Sequence, residues 1–152
     1  MDDLASFRYR ATTAGGSARI QPTSVVAIGG GLDYLDFFSG AGTSGPSIDD
    51  TFGPAAAPGQ GARPAYTRSR LFAEVDRRQS PGYTRSGGLY RIDWSTYRQT
   101  SSGGYSFRQM DAEVAQHLPL LRDQWVLAFR GLVSATDTDA GGTVPYFLLP
   151  AL

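Results

Sequence analysis

The sequence predicts an all-β chain: an antiparallel transmembrane β-barrel segment of about six long strands, an incomplete barrel. Three observations lead there. Six stretches alternate apolar with charged or polar residues over about ten positions each. Gly, Pro and Ser clusters bound these stretches, and β-branched and aromatic residues fill them, as strands require. Each run matches the length of about 9–11 residues that a tilted membrane strand needs, against about 5–6 in soluble sheets.

Each strand is read from its own alternation. The first covers 5–13, with Phe7, Tyr9 and Ala11 on its oily face. The second covers 25–38, with Val26, Ile28, Gly30, Leu32 and Tyr34 together. In the third, 66–77, Leu71, Ala73 and Val75 oppose Arg70, Glu74 and Asp76. In the fourth, 88–98, Tyr90, Ile92, Trp94 and Thr96 oppose Arg91, Asp93 and Ser95. The fifth, 106–118, sets Met110, Ala112, Val114 and Leu118 against Gln109, Asp111, Glu113 and His117, although 107–118 also tolerates a helix. The sixth, 124–135, sets Trp125, Leu127, Phe129, Gly131 and Val133 against Arg130 and Ser134. Eleven charges are expected on the ionic faces: Arg8, Arg10, Asp33, Arg70, Glu74, Asp76, Arg91, Asp93, Asp111, Glu113 and Arg130. Asp36 and Arg77 fall on the other face at strand ends, where a charge costs little at a membrane rim.

The hairpin 88–118 yields a register. Opposed residues share a face, so paired numbers sum to an even value. A sum of 204 sets Trp94 against Met110, Ile92 against Ala112, Tyr97 against Phe107 and Arg91 against Glu113, all favourable partners. It also opposes Asp93 and Asp111, which requires Arg91 or Arg130 to neutralise them.

One domain is expected over 1–152, with a long flexible loop at about 39–65 made of Gly, Ala, Pro, Ser and Thr, too polar to bury a core of its own. Segments 14–24, 78–87 and 119–123 are the shorter connections, and the longer ones are assigned to the cell exterior. The basic and acidic side chains balance at 14 each, which gives no argument for a nucleic-acid partner. Every basic residue is Arg, and Cys is absent. No run of about 18 apolar residues occurs, so no transmembrane helix is expected. Acids stand in the opening residues where an export signal needs bases.

Chemistry-bearing constellations are sparse. Asp137–Thr138–Asp139 begins like a calcium loop, but Leu148 stands where the loop needs Glu. His117 is the only histidine, and although Ser134 could approach it, no nucleophile elbow surrounds any Ser. Gly29–Gly31 lacks the Lys-Ser/Thr of a phosphate loop, so it is read as a bend or a seat for an aromatic ring. No catalytic, cofactor-binding or metal residue is assigned, no cofactor is expected, and the chain is not read as an enzyme. The charges of the third to sixth strands are read as a structural network of ion pairs lining an interior. Tyr90, Trp94, Tyr97 and Trp125 are read as headgroup-level girdle aromatics, with ordinary cross-strand packing as the alternative.

The run Val126–Val133, the polar loop 137–142 and Val144–Pro145–Tyr146–Phe147–Leu148–Leu149–Pro150–Ala151–Leu152 together resemble the bacterial surface antigen family. The stretches Tyr83–Gly88, Tyr90–Trp94 and Ser106–Gln109 resemble that family's preceding hairpin. The resemblance covers 66–152. It implies a barrel of about 16 strands in the outer membrane of a Gram-negative bacterium. It also implies a role in inserting or translocating other outer-membrane proteins, through an unstable seam and strand exchange. The partners it implies are outer-membrane lipid, client outer-membrane proteins and assembly-machinery lipoproteins. The family's Arg-Gly-Phe loop motif would begin where this sequence stops, so a fragment is expected. The alternative is a soluble antiparallel β domain that binds an apolar ligand or a protein partner. A barrel channel or barrel enzyme of another family is the third reading.

Overall fold

A computed structural model describes residues 7–42, 46–47, 53, 58–59, 61–100, 104–121 and 125–149. The fold is all-β. Six antiparallel strands form one open sheet in sequence order: β1 (Phe7–Ile20), β2 (Val26–Ala41), β3 (Ala65–Asp76), β4 (Gly87–Gln99), β5 (Phe107–Leu120) and β6 (Trp125–Thr138). A single 3-10 turn, Tyr146–Leu148, follows. Residues 107–118 belong to a strand, not a helix. β1 and β6 are the two edges, and each has one hydrogen-bonding side without a strand partner among the described residues.

The fourth and fifth strands pair in the expected register, with Trp94 opposite Met110 and Asp93 opposite Asp111. The aspartates are relieved in two ways. Arg91 clamps Asp93 through Nε at 2.6 Å and Nη2 at 2.8 Å. Asp111 accepts bonds from Gln109 Nε2 at 3.0 Å and from the Ser134 hydroxyl. Arg130 takes neither aspartate and bonds Glu113 at 2.6 Å.

The first strand departs from expectation in length and in phase. It runs on to Ile20, so most of the expected connection 14–24 is strand. Its partners place Tyr9 beside Ser39 and Ala11 beside Phe37, on the face that carries Asp33. Arg8 and Arg10 therefore point with Tyr34 and Asp36, and nine of the eleven expected charges share the ionic face. The inversion follows from what covers that end of the sheet. Segment 139–149 leaves β6 and crosses the ionic face back to the other edge. There Tyr146 meets Phe7 at 5.5 Å, and Phe147 meets Tyr9 at 5.9 Å and Phe37 at 5.7 Å. Aromatics are thus needed inside at this end, and β1 and β2 supply them.

The same ring contacts make the ionic face concave. Tyr66 of β3 touches Phe107 of β5, two strands away, at 6.2 Å. Flat neighbours two strands apart would sit about 9.6 Å from each other. The only cluster of buried hydrophobic residues among those described, Leu35, Phe37, Tyr66, Tyr97 and Phe107, lies here. Tyr97 is consequently not a girdle residue: it faces inward and stacks on Phe107 at 4.3 Å.

The convex face is oily and bare. Ile92 is 46% exposed, Trp94 45% and Leu127 52%. Every charge that the strands direct outward lies at one end of the sheet: Arg8, Arg10, Asp36, Arg98, Arg108 and Asp137. Their line crosses the strands obliquely. Asp137 opposes Arg108, and Arg108 opposes Thr96. Arg98 stands two positions beyond Thr96 and opposes Thr67, which opposes Tyr34. Asp36 stands two positions beyond Tyr34 and opposes Thr12, with Arg10 two positions further on. The line climbs about 20 Å along the strands while crossing about 24 Å of sheet, an inclination of about 40°.

Candidate functional site: the inner face

Two structures occupy the concave face: a ladder of ion pairs along its length and an aromatic cap at one end. Period-two alternation builds the ladder, since residues of like parity on paired strands stack in rows. Asp33 of β2 receives Arg68 Nη2 at 2.8 Å and Arg70 Nε at 3.0 Å from β3. Glu74 of β3 receives Arg19 of β1 at 2.9 Å and Arg91 of β4 at 3.1 Å. Glu113 and Arg130 join β5 to β6. Among the described residues, six arginines (19, 68, 70, 78, 91 and 130) and six acids (33, 74, 76, 93, 111 and 113) share this face, so their charges balance. Such a surface is wettable and internally compensated. Arg78, just past β3, bonds Asp76, and that hydrogen bond raises its guanidinium above the ordinary value.

Phe72 interrupts the ladder. Its ring lies under the Arg91 guanidinium at 4.7 Å and near Arg19 at 5.9 Å. It also fills the space where Gly29 has no side chain, because a Cβ there would sit 2.6 Å from the ring. The glycine run is therefore a seat for an aromatic. Gly29→Val is expected to expel Phe72, uncouple Arg91 from its stack and lower the unfolding midpoint, whereas Gly16→Val, with nothing within 4 Å of its Cβ, leaves the midpoint in place. Denaturant titration followed by circular dichroism checks both.

The cap closes the end where the long connections lie. Tyr66 is fully buried at its centre, against Phe37 at 5.8 Å and Tyr97 at 6.1 Å. The segment after β6 lies over it, held by Tyr146 N–H donating to Pro58 O at 3.0 Å and by a hydrogen bond between the Ser39 and Tyr146 hydroxyls. Thr143 N–H donates to Gly104 O at 2.8 Å and fixes its start. The sequence contained one clue, the aromatic-rich Val144–Leu149, but nothing that named its docking partners.

The remaining sequence candidates do not converge. His117 opposes Gly87 and Ala128, whereas Ser134 opposes Asp111 and bonds it. Six residues of strand, about 20 Å, separate the two sites. Asp137 and Asp139 are exposed and face Arg108 at 3.9 and 3.6 Å. Among the described residues no group of three or more His, Cys, Asp or Glu side chains could hold a metal ion. No helix of the described residues is long and apolar enough to cross a membrane, which does not bear on crossing by strands.

Comparison with protein-family models, with curated protein sequences and with solved structures yields no match for this chain.

Proposed function

We propose that this chain is part of an outer-membrane β-barrel, its convex face in contact with lipid and its ionic face turned to an enclosed aqueous interior. The oblique charge boundary carries the reading. A flat membrane surface cutting across strands tilted by about 35–45° leaves a boundary inclined by that angle, and the outward charges follow one of about 40°. Below the boundary the outward side of β5 is uncharged from Met110 to Leu120. At about 40° of tilt this run spans roughly 26 Å along the barrel axis, close to the apolar band of outer-membrane barrels. An exposed apolar face of this extent needs a cover, and acyl chains supply one along its whole height.

The role proposed within that membrane is insertion or translocation of other outer-membrane proteins. It is supported by the resemblance of residues 66–152 to the surface antigen family.

Because the chain has no cysteine, single replacements report cleanly. Ile92→Cys, Ala112→Cys and Leu127→Cys, carrying a spin label in refolded proteoliposomes, are expected to relax with dissolved oxygen and not with a water-soluble nickel chelate. Ser95→Cys and Glu113→Cys are expected to do the reverse. A monomeric, β-rich chain in plain buffer with the first three labels shielded from both reagents would overturn the membrane assignment. The client role is read separately, by photocrosslinking from β1 and β6 to unfolded barrel substrates. Absence of adducts removes that role and leaves the barrel.

A further inference from the structure

Residues 144–149 lie on the concave face as a bound peptide lies in a groove. Pro145 is fully buried and extended (φ −60°, ψ 140°). It rests on Gly59, where a Cβ would stand 3.1 Å from Pro145 Cβ. Tyr146 N–H donates to Pro58 O at 3.0 Å, and the Tyr146 hydroxyl bonds that of Ser39, a residue only 1% exposed. The Tyr146 ring meets Phe7 edge-on, and Phe147 packs against both Tyr9 and Phe37. Each residue of Pro145–Tyr146–Phe147 therefore has its own receiving feature: the notch left by a glycine, a carbonyl with a hydroxyl, and a pair of rings. A proline-led extended segment received by an aromatic-lined groove is a recurring mode of peptide recognition.

The segment is attached as a tethered ligand is. It adds no strand to the sheet, and the Leu148 and Leu149 N–H groups donate back within their own turn, to Pro145 O and Tyr146 O. Gly141, with φ +81° and nothing within 4 Å of where its Cβ would stand, supplies a swivel just after β6. Tyr146, Phe147 and Leu148 are only partly buried, and Leu149 is 52% exposed. Val144, Phe147 and Leu148 pack on the buried cluster in which the Tyr66 hydroxyl has no hydrogen-bond partner among the described residues. A covered hydroxyl without a partner opposes docking, and that cost is relieved when water reaches it.

We infer that β1, β2, Pro58 and Gly59 form a peptide-docking site and that residues 144–149 are its tethered occupant. A segment of another polypeptide with proline followed by two aromatic residues takes the same place by displacing them. The site lies on the concave face, so it stands whichever solvent meets the convex one and is independent of the proposed membrane role. A short tether holds its own ligand at an effective concentration of about 1 mM. The site is therefore closed to weak competitors, and it opens to a peptide in trans that makes the same contacts or when the tethered anchors are removed.

The full chain, folded in detergent micelles, is titrated with fluorescein-labelled Val-Pro-Tyr-Phe-Leu-Leu-amide and read by anisotropy. The control peptide has the same six residues with the aromatics separated, Tyr-Val-Leu-Phe-Leu-Pro, and so matches it in composition. The double variant Tyr146→Ala, Phe147→Ala empties the site and is expected to bind the first peptide about tenfold more tightly than the unaltered chain. Ser39→Ala on that background weakens binding by about fivefold. A spin label at Leu149→Cys, in a chain with no other cysteine, leaves the anchoring contacts in place. Its spectrum is expected to sharpen when the unlabelled first peptide is added and to stay unchanged with the control. Circular dichroism checks that the double variant folds, and if it does not, the spin label decides alone. Equal binding of the two peptides, no gain in the folded double variant, or a label that stays immobile at millimolar peptide would overturn the docking site and make residues 144–149 a fixed part of the fold.

Discussion

Asp33→Ala is expected to cost about 1–3 kcal/mol of folding stability, because it removes the acceptor shared by two guanidiniums that water shields only in part. Asp33 is 7% exposed and is the acceptor for two guanidiniums, Arg68 through Nε and Nη2 and Arg70 through Nε. Its loss strands both cations on the inner face of β3. Asp33→Asn retains the volume and one acceptor oxygen, and its cost is expected to be smaller. Arg108→Gln serves as the contrast. Its acidic partners are exposed and 3.6–3.9 Å away, so no measurable change is expected. Urea unfolding in detergent micelles, followed by far-ultraviolet circular dichroism, gives all three values. A double-mutant cycle of Asp33 with Arg68 isolates their coupling. An Asp33→Ala cost indistinguishable from that of Arg108→Gln would show that water in the interior screens the ladder, and the ladder would lose its structural role.

Tyr66→Ala is expected to be more damaging, at about 3–5 kcal/mol, the range for removing a large buried aromatic. Tyr66 has no exposed surface and touches Phe37, Tyr97 and Phe107, so its loss leaves a void at the point where β2, β3, β4 and β5 converge under the cap. Tyr66→Phe separates packing from polarity. The Tyr66 hydroxyl is buried and has no hydrogen-bond partner among the described residues, so removing it is expected to be neutral or mildly stabilising. A large loss in Tyr66→Phe would mean that the hydroxyl has a partner after all. A small loss in Tyr66→Ala would mean that the cap packs loosely, and segment 139–149 would then not brace the two edges of the sheet.

The ladder and the cap divide the inner face between two kinds of cohesion. Along most of its length, arginine–carboxylate pairs join β2 to β3, β3 to β4 and β5 to β6, and Glu74 also reaches β1. At the end with the long connections, charge gives way to stacked rings, and a segment far along the chain docks on β1 and β2. Both arrangements turn polar or aromatic groups inward and leave most of the strands' aliphatic residues outside. A soluble sheet of this area would bury its aliphatic face.

Strand number, antiparallel order and the β4–β5 register were legible because each depends on neighbours close in sequence. Alternation assigns faces, and parity with favourable cross-strand pairs leaves few registers: Trp94 with Met110 and Ile92 with Ala112 satisfy one sum. The glycine run announced a missing side chain, and Phe72 proved to be what fills it. Arg68 went unnoticed as the closest partner of Asp33 because the two lie on separate strands whose register no short turn specifies.

What alternation could not provide was the meaning of an aromatic residue near a strand end. Phe7 and Tyr9 have the size and hydropathy of lipid-facing residues, and local pattern alone places them outside. They turn inward because Tyr146 and Phe147 return across the sheet to meet them or their neighbours, a contact between residues more than a hundred positions apart. Short-range periodicity thus settles the strands and most of their faces. Which side is aromatic at the capped end, and where the outward arginines line up across the strands, are set by curvature and stagger, which exist only once all six strands are assembled.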